Sequence, residues 1–142
     1  MLWDAQETFD KLIERHGFDC KAVKDDRFYK PMAYRLESNA VHYNVAQVLG
    51  VAGRYGLLLK DTFLCIAYHE LGHYLEIKQN PALIVLFKEA KSAGNLTFNK
   101  FKYEREKAAY TLGRDLITDE RLLEIYDALN KDRLESSRKK TR

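Results

Sequence analysis

The spacing of apolar positions along this chain changes several times, and each change marks an element. Over 4–16, Phe9, Leu12 and Ile13 stand at helical spacing among charges, and Gly17 follows as a stop, which predicts an amphipathic helix. Between Arg27 and Asn44 the pattern becomes short, partly alternating, aromatic and β-branched. MAYRL and AVHYN, parted by Glu37, Ser38 and Asn39, predict a β-hairpin. From Val45 to Leu59 the chain is apolar but carries Gly50, Gly53 and Gly56, the pattern of a short helix and a turn. Asp61 and Thr62 are suited to cap a central helix over 63–76, which holds no proline and one glycine. Asn80-Pro81 opens a helix over ALIVLFKEAKSA, closed by Gly94-Asn95. Another helix is predicted from about Phe101 to Leu116 or Ile117. Thr118-Asp119 then caps a last one, with Leu122, Ile125, Tyr126 and Leu129 on one stripe. The expected fold class is α+β, mainly helical, with a small hairpin beside the central helix.

With 142 residues and 46% hydrophobic content, the chain can build one ordinary core, expected over 1–130. The formal net charge is +3, but the segment 131–142 holds six basic and two acidic residues, so it carries +4 and the body −1. A neutral body argues against direct nucleic-acid binding, and the basic end reads as a frayed, solvated tail. No long uncharged apolar run indicates a signal peptide or a membrane span, which points to the cytoplasm. Cys20 and Cys65 are then expected as free thiols, and His16 as a cation suited to the dipole at the end of its helix.

Chemistry concentrates in the central helix, where His69-Glu70-Leu71-Gly72-His73 forms an HExxH pattern. Residues four apart share a helical face, so both imidazoles can reach one metal ion at about 2.0–2.1 Å. Glu70 is rotated roughly 100° from His69, beside the metal's open position, where a carboxylate can take a proton from metal-activated water. With this composition the pattern arises by chance in about one such chain in a hundred, so it outweighs the reading of two ordinary helix histidines.

A catalytic zinc site takes a third protein ligand. Position 76 is Glu and position 79 is Gln, so the HExxHxxGxxH extension is absent. A carboxylate from the later segment YEREKAAYTLGRDLI remains, either Glu106 or Glu104. Glu106 continues the stripe of Ala109, Leu112, Gly113, Leu116 and Ile117, whereas Glu104 points roughly 160° away, so helical phase favours Glu106 and leaves Glu104 as the alternative.

HELGH followed by Glu106, Ala109, Tyr110, Leu112, Leu116 and Ile117 resembles the ImmA/IrrE-type metallopeptidases, compact gluzincins, over about 58–117. The resemblance implies a minimal zincin-like domain, a Zn2+ cofactor and cleavage of a specific protein or peptide, such as a transcriptional repressor. Two departures stand out: Tyr110 occupies the family's Asn or Asp position, and Thr118-Asp119 replaces its Met-Pro. The partner of a metal-bound histidine must then be the Tyr110 hydroxyl or come from elsewhere. The resemblance also suggests that AVHYN is an edge strand over the cleft, with His42 or Tyr43 donating to an oxyanion. A different class of function keeps the zinc without the reaction, as a zinc-stabilised interaction module. Glu70, which metal binding does not need, favours the enzyme.

Overall fold

A computed structural model describes residues 3–142. Asp4 accepts the Glu7 N–H and starts α1 (Ala5–His16), and Gly17, at φ 67°, ends it. Three short strands follow: β1 (Lys21–Lys24), β2 (Met32–Arg35) and β3 (Ala40–Tyr43). Then come α2 (Val45–Tyr55), α3 (Leu59–Gln79), α4 (Leu83–Ser92), α5 (Asn95–Arg114) and α6 (Glu120–Lys139), a mainly helical α+β domain. No helix among the described residues is long and apolar enough to cross a membrane.

The expected hairpin is β2 paired antiparallel to β3, with Met32 opposite Tyr43 and Arg35 opposite Ala40. β1 adds in parallel on the other side, so the order is β1-β3-β2. This corrects one expectation: AVHYN is the central strand, and β2 is the edge that faces α3. β1 escaped the sequence reading because KAVK is four residues long and places no apolar residue in a burying alternation.

α3 begins at Leu59, earlier than its supposed caps. Asp61 lies in its first turn and receives both terminal nitrogens of Arg121 from α6, at 2.5 and 3.1 Å, while the Thr62 hydroxyl donates to Leu58 O. Gly94, at φ 106°, acts as a start as well as a stop, so α5 begins at Asn95 rather than near Phe101. Asp119 caps α6 as expected, by accepting the Arg121 and Leu122 N–H groups. The tail expected to fray from Lys131 is instead helical through Lys139.

The core forms where α1, the sheet and α3 meet. Phe9, Tyr43 and Phe63 have no exposed surface, and their rings pack edge-on or stacked at 5.4–6.1 Å. Burying each such ring contributes about 1.5–3 kcal/mol. On the other side α3 crosses α5 at backbone contact. A Cβ on Gly72 would lie 2.1 Å from Ala109 O, and one on Gly113 would lie 2.4 Å from Tyr68 O. Two glycines therefore set how closely the two helices approach, which positions the site described next.

Candidate metal centre

Gly72 is flanked in sequence by Leu71 and His73 and meets Ala109, while Glu106 sits one turn before Ala109. The glycine crossing thus brings Glu106 onto the face that carries His69 and His73. Its Oε1 is 2.9 Å from His73 Nε2, and its Oε2 is 3.2 Å from His69 Nε2. The two imidazoles lie 5.1 Å apart between ring centroids. One ligand atom from each of His69, Glu70 and His73 lies within 4.8 Å of the others. His69 and Glu70 are both 1% exposed, and His73 is partly open to the cleft.

Arg133, from α6, completes the cluster. Its Nη1 is 2.8 Å from Glu70 Oε2, its Nε is 2.5 Å from Glu106 Oε2 and its Nη2 is 3.3 Å from Glu106 Oε1. The other Glu70 oxygen, Oε1, accepts the Tyr34 N–H of β2 at 3.0 Å. Burial alone would favour protonated carboxyls, but Arg133 and the two imidazoles outweigh it, so Glu70 and Glu106 both titrate below the ordinary carboxylate range. Burial, and then Arg133, push His69 the other way and keep its imidazole neutral.

Neither ring nitrogen of His69 has a hydrogen-bond partner among the described residues, although both are buried. The Glu106 oxygen near Nε2 is close but not aligned for a bond. A neutral imidazole has one acceptor nitrogen, and leaving it unpartnered in the interior is costly. Two carboxylates against one guanidinium also leave the cluster with a net negative charge. A divalent cation would meet both conditions, and two imidazoles with one carboxylate are a donor set suited to zinc. The cluster forms the floor of a cleft of about 650 Å³, walled by β2, α3, α5 and α6.

The other expected residues lie elsewhere. Glu104 faces solvent and pairs with Lys107 at 2.9 Å. The Tyr110 hydroxyl donates to Asp127 at 2.8 Å and orients neither histidine, because the ring stacks on Tyr126, away from the cluster. His42, on the central strand, lies 3.7 Å from Asp25 and outside the cleft wall. Tyr43 is buried, with its hydroxyl on Gln6. Neither can reach an oxyanion in the cleft, because β2 stands between β3 and that space. His16 stacks on Phe18, and burial lowers its pKa, which disfavours the charge expected at this helix end. Both cysteines are free.

Two participants went unread in the sequence. Arg133 fell in the supposed tail, although Tyr126, Asn130 and Arg133 continue the stripe of α6 at helical spacing. Tyr34 acts through its backbone N–H, which no side-chain pattern reveals. No protein-family model matches the chain, and no curated protein or solved structure matches it either.

Proposed function

We propose that the chain is a zinc-dependent metallopeptidase of the ImmA/IrrE-like kind, acting in the cytoplasm on a specific protein such as a transcriptional repressor. The observation that carries this reading is the buried, unpartnered imidazole of His69, set opposite His73 and Glu106 in a net-negative cluster. His69, His73 and Glu106 would hold the ion. When bound, it supplies Lewis acidity that polarises a scissile carbonyl and lowers the pKa of water to about 7. Glu70 accepts the proton from the attacking water and delivers it to the leaving amine as the C–N bond breaks. Tyr34 and Arg133 fix the Glu70 carboxylate from both sides, and each of its oxygens keeps a further lone pair for that proton.

The same two bonds favour a second reading, a zinc-stabilised interaction module, since a carboxylate held at both oxygens also suits a static role. Metal content by mass spectrometry, run beside His73→Ala, Glu106→Ala and Glu104→Ala, tests the site. One tightly held zinc is expected in the wild type and Glu104→Ala, and none in the other two. Absence of bound metal after zinc is supplied would sink both readings. With zinc in place, Glu70→Gln separates them: the enzyme loses hydrolysis of its protein substrate and keeps the metal, whereas the module keeps its metal and its partner affinity.

A further inference from the structure

The cleft above the cluster carries more charge than the cluster uses. Each of its four carboxylates is engaged: Glu70 and Glu106 by Arg133, Glu76 by Arg105 at 2.8 Å and Asp132 by the Tyr55 hydroxyl. Lys30, Lys102 and Lys140 line the same cleft, and none has a carboxylate within 4.0 Å among the described residues.

These lysines come from three elements. Lys30 precedes β2, Lys102 lies on α5, and Lys140 follows α6, whose end is tied to α5 by Asn99 donating to Lys140 O at 3.2 Å. Each has some local accommodation. Lys30 and Lys102 lie over the rings of Tyr29 and Phe98 at 5.4 and 4.5 Å, and Lys140 suits the dipole at its helix end. None of this accounts for their convergence. Lys102 is held below its ordinary pKa by burial first, and then by Lys140 and Lys30, each of which repels its ammonium, with Tyr29 and Glu106 offsetting part of this. An anion seated among them would relieve that repulsion.

We propose that the lysine cluster selects the substrate, and that the substrate is an acidic peptide segment with a Glu or Asp side chain seated among Lys30, Lys102 and Lys140. This rests on the metallopeptidase reading for the cutting step only; the binding step stands on the lysines. Lys30 leads through Pro31 into β2, the outer strand that lines the cleft, whose Tyr34 N–H is already held by Glu70, so a ligand here is held by side chains, and a peptide supplies acidic and apolar ones together. Met32, Leu36, Phe87 and Phe101 also line the cleft and suit apolar side chains between acidic ones.

The test is fluorescence anisotropy on the full chain, with zinc and with chelator. The probes are a fluorescein-labelled hexapeptide alternating leucine and glutamate, its leucine-glutamine analogue, and a labelled thymidine octanucleotide. The glutamate peptide is expected to bind at least about tenfold tighter than the glutamine analogue at low salt, and tighter than the oligonucleotide. Lys102→Gln with Lys140→Gln should remove about tenfold of that affinity, while Lys60→Gln, exposed at the start of α3 and away from the cleft wall, should not change it. Equal affinity for the two peptides, an equal loss in Lys60→Gln, or preference for the oligonucleotide would overturn the inference. Zinc content keeps the two ideas apart. Selective peptide binding by a chain that holds no zinc supports the lysine site and overturns the peptidase. Bound zinc with no acidic preference overturns the lysine site alone.

Discussion

Gly72→Ala tests whether backbone contact between α3 and α5 builds the site. The added methyl would lie 2.1 Å from Ala109 O and 2.8 Å from its carbonyl carbon, and neither atom belongs to a flexible side chain. Reaching ordinary contact requires the helices to part by at least about 1 Å. Alanine recovers about 1 kcal/mol of helix propensity over glycine. Overpacking costs about 1–3 kcal/mol in a side-chain core, and a rigid backbone crossing exceeds that range. A net loss of about 2 kcal/mol is expected, or about 6 °C in melting temperature for a chain of this size. Gly50→Ala is the control, because Gly50 is exposed within α2 and a Cβ there meets nothing within 4 Å. It should raise the melting temperature by about 3 °C. Glu106 sits one turn from the crossing, so its 2.9 Å approach to His73 opens in Gly72→Ala and zinc affinity falls by about 10–100-fold. Thermal melts and competitive zinc titration read both effects. A Gly72→Ala protein that melts within 2 °C of wild type, or that loses stability with zinc affinity intact, would refute the reasoning.

Two further predictions use the same geometry. Arg133→Met leaves the buried Glu70 and the partly buried Glu106 without their cation, and denaturant unfolding of the metal-free protein should show a loss of about 3 kcal/mol that added zinc partly reverses. An equal loss with and without zinc would mean that Arg133 and the ion do not share a site. Burial pushes the Cys20 thiol up to about 11 and Cys65 to about 12, so at pH 8 only about a thousandth of Cys20, and less of Cys65, is thiolate. Iodoacetamide should label neither thiol quickly until urea is added. Because the raised folded pKa favours the neutral thiol, the associated stability is present below the unfolded value of about 8.5 and is lost as pH rises from there towards 11. Rapid labelling of both thiols in the native protein, or stability flat across that window, would count against it.

What the sequence made legible follows from which signals are local. Gly17 and Asp119 are caps that act through their nearest neighbours, so the ends they mark were readable, whereas Asn44 and Gly56 cap α2 at ends the three-glycine pattern left open. Helical phase alone separated Glu106 from Glu104, since one face of α5 must be apolar to pack and the other faces water. The misses are tertiary. β1 is too short to bury a face, and only pairing with β3 makes it a strand. Nothing local shows that β3 rather than β2 is central, so His42 and Tyr43 were assigned to a cleft they do not line. The charged end of α6 looked like a solvated tail, because nothing nearby in the chain reveals carboxylates waiting 63 and 27 residues earlier. Its charges point to solvent on one side and to the site on the other.

That placement of α6 ties the site to the stability of the whole domain. The helix is pinned to α3 near both ends by charge, Arg121 on Asp61 and Arg133 on Glu70. Between them Tyr126, fully buried, donates its hydroxyl to Tyr110 O on α5 at 2.7 Å. Arg121 is largely exposed, so its pair contributes little by itself. The Arg133 pairs join the buried Glu70 carboxylate to the partly buried Glu106 carboxylate, which would otherwise repel each other within one cluster. α3 and α5 alone therefore bring two like charges together beside the candidate ligands, and docking of α6 places one guanidinium between them. The candidate ligands thus come from α3 and α5, and the last helix of the chain supplies the cation that holds Glu70 and Glu106. Loosening α6 should free the Glu70 and Glu106 carboxylates before it disturbs the ring packing of Phe9, Tyr43 and Phe63, which come from α1, β3 and α3.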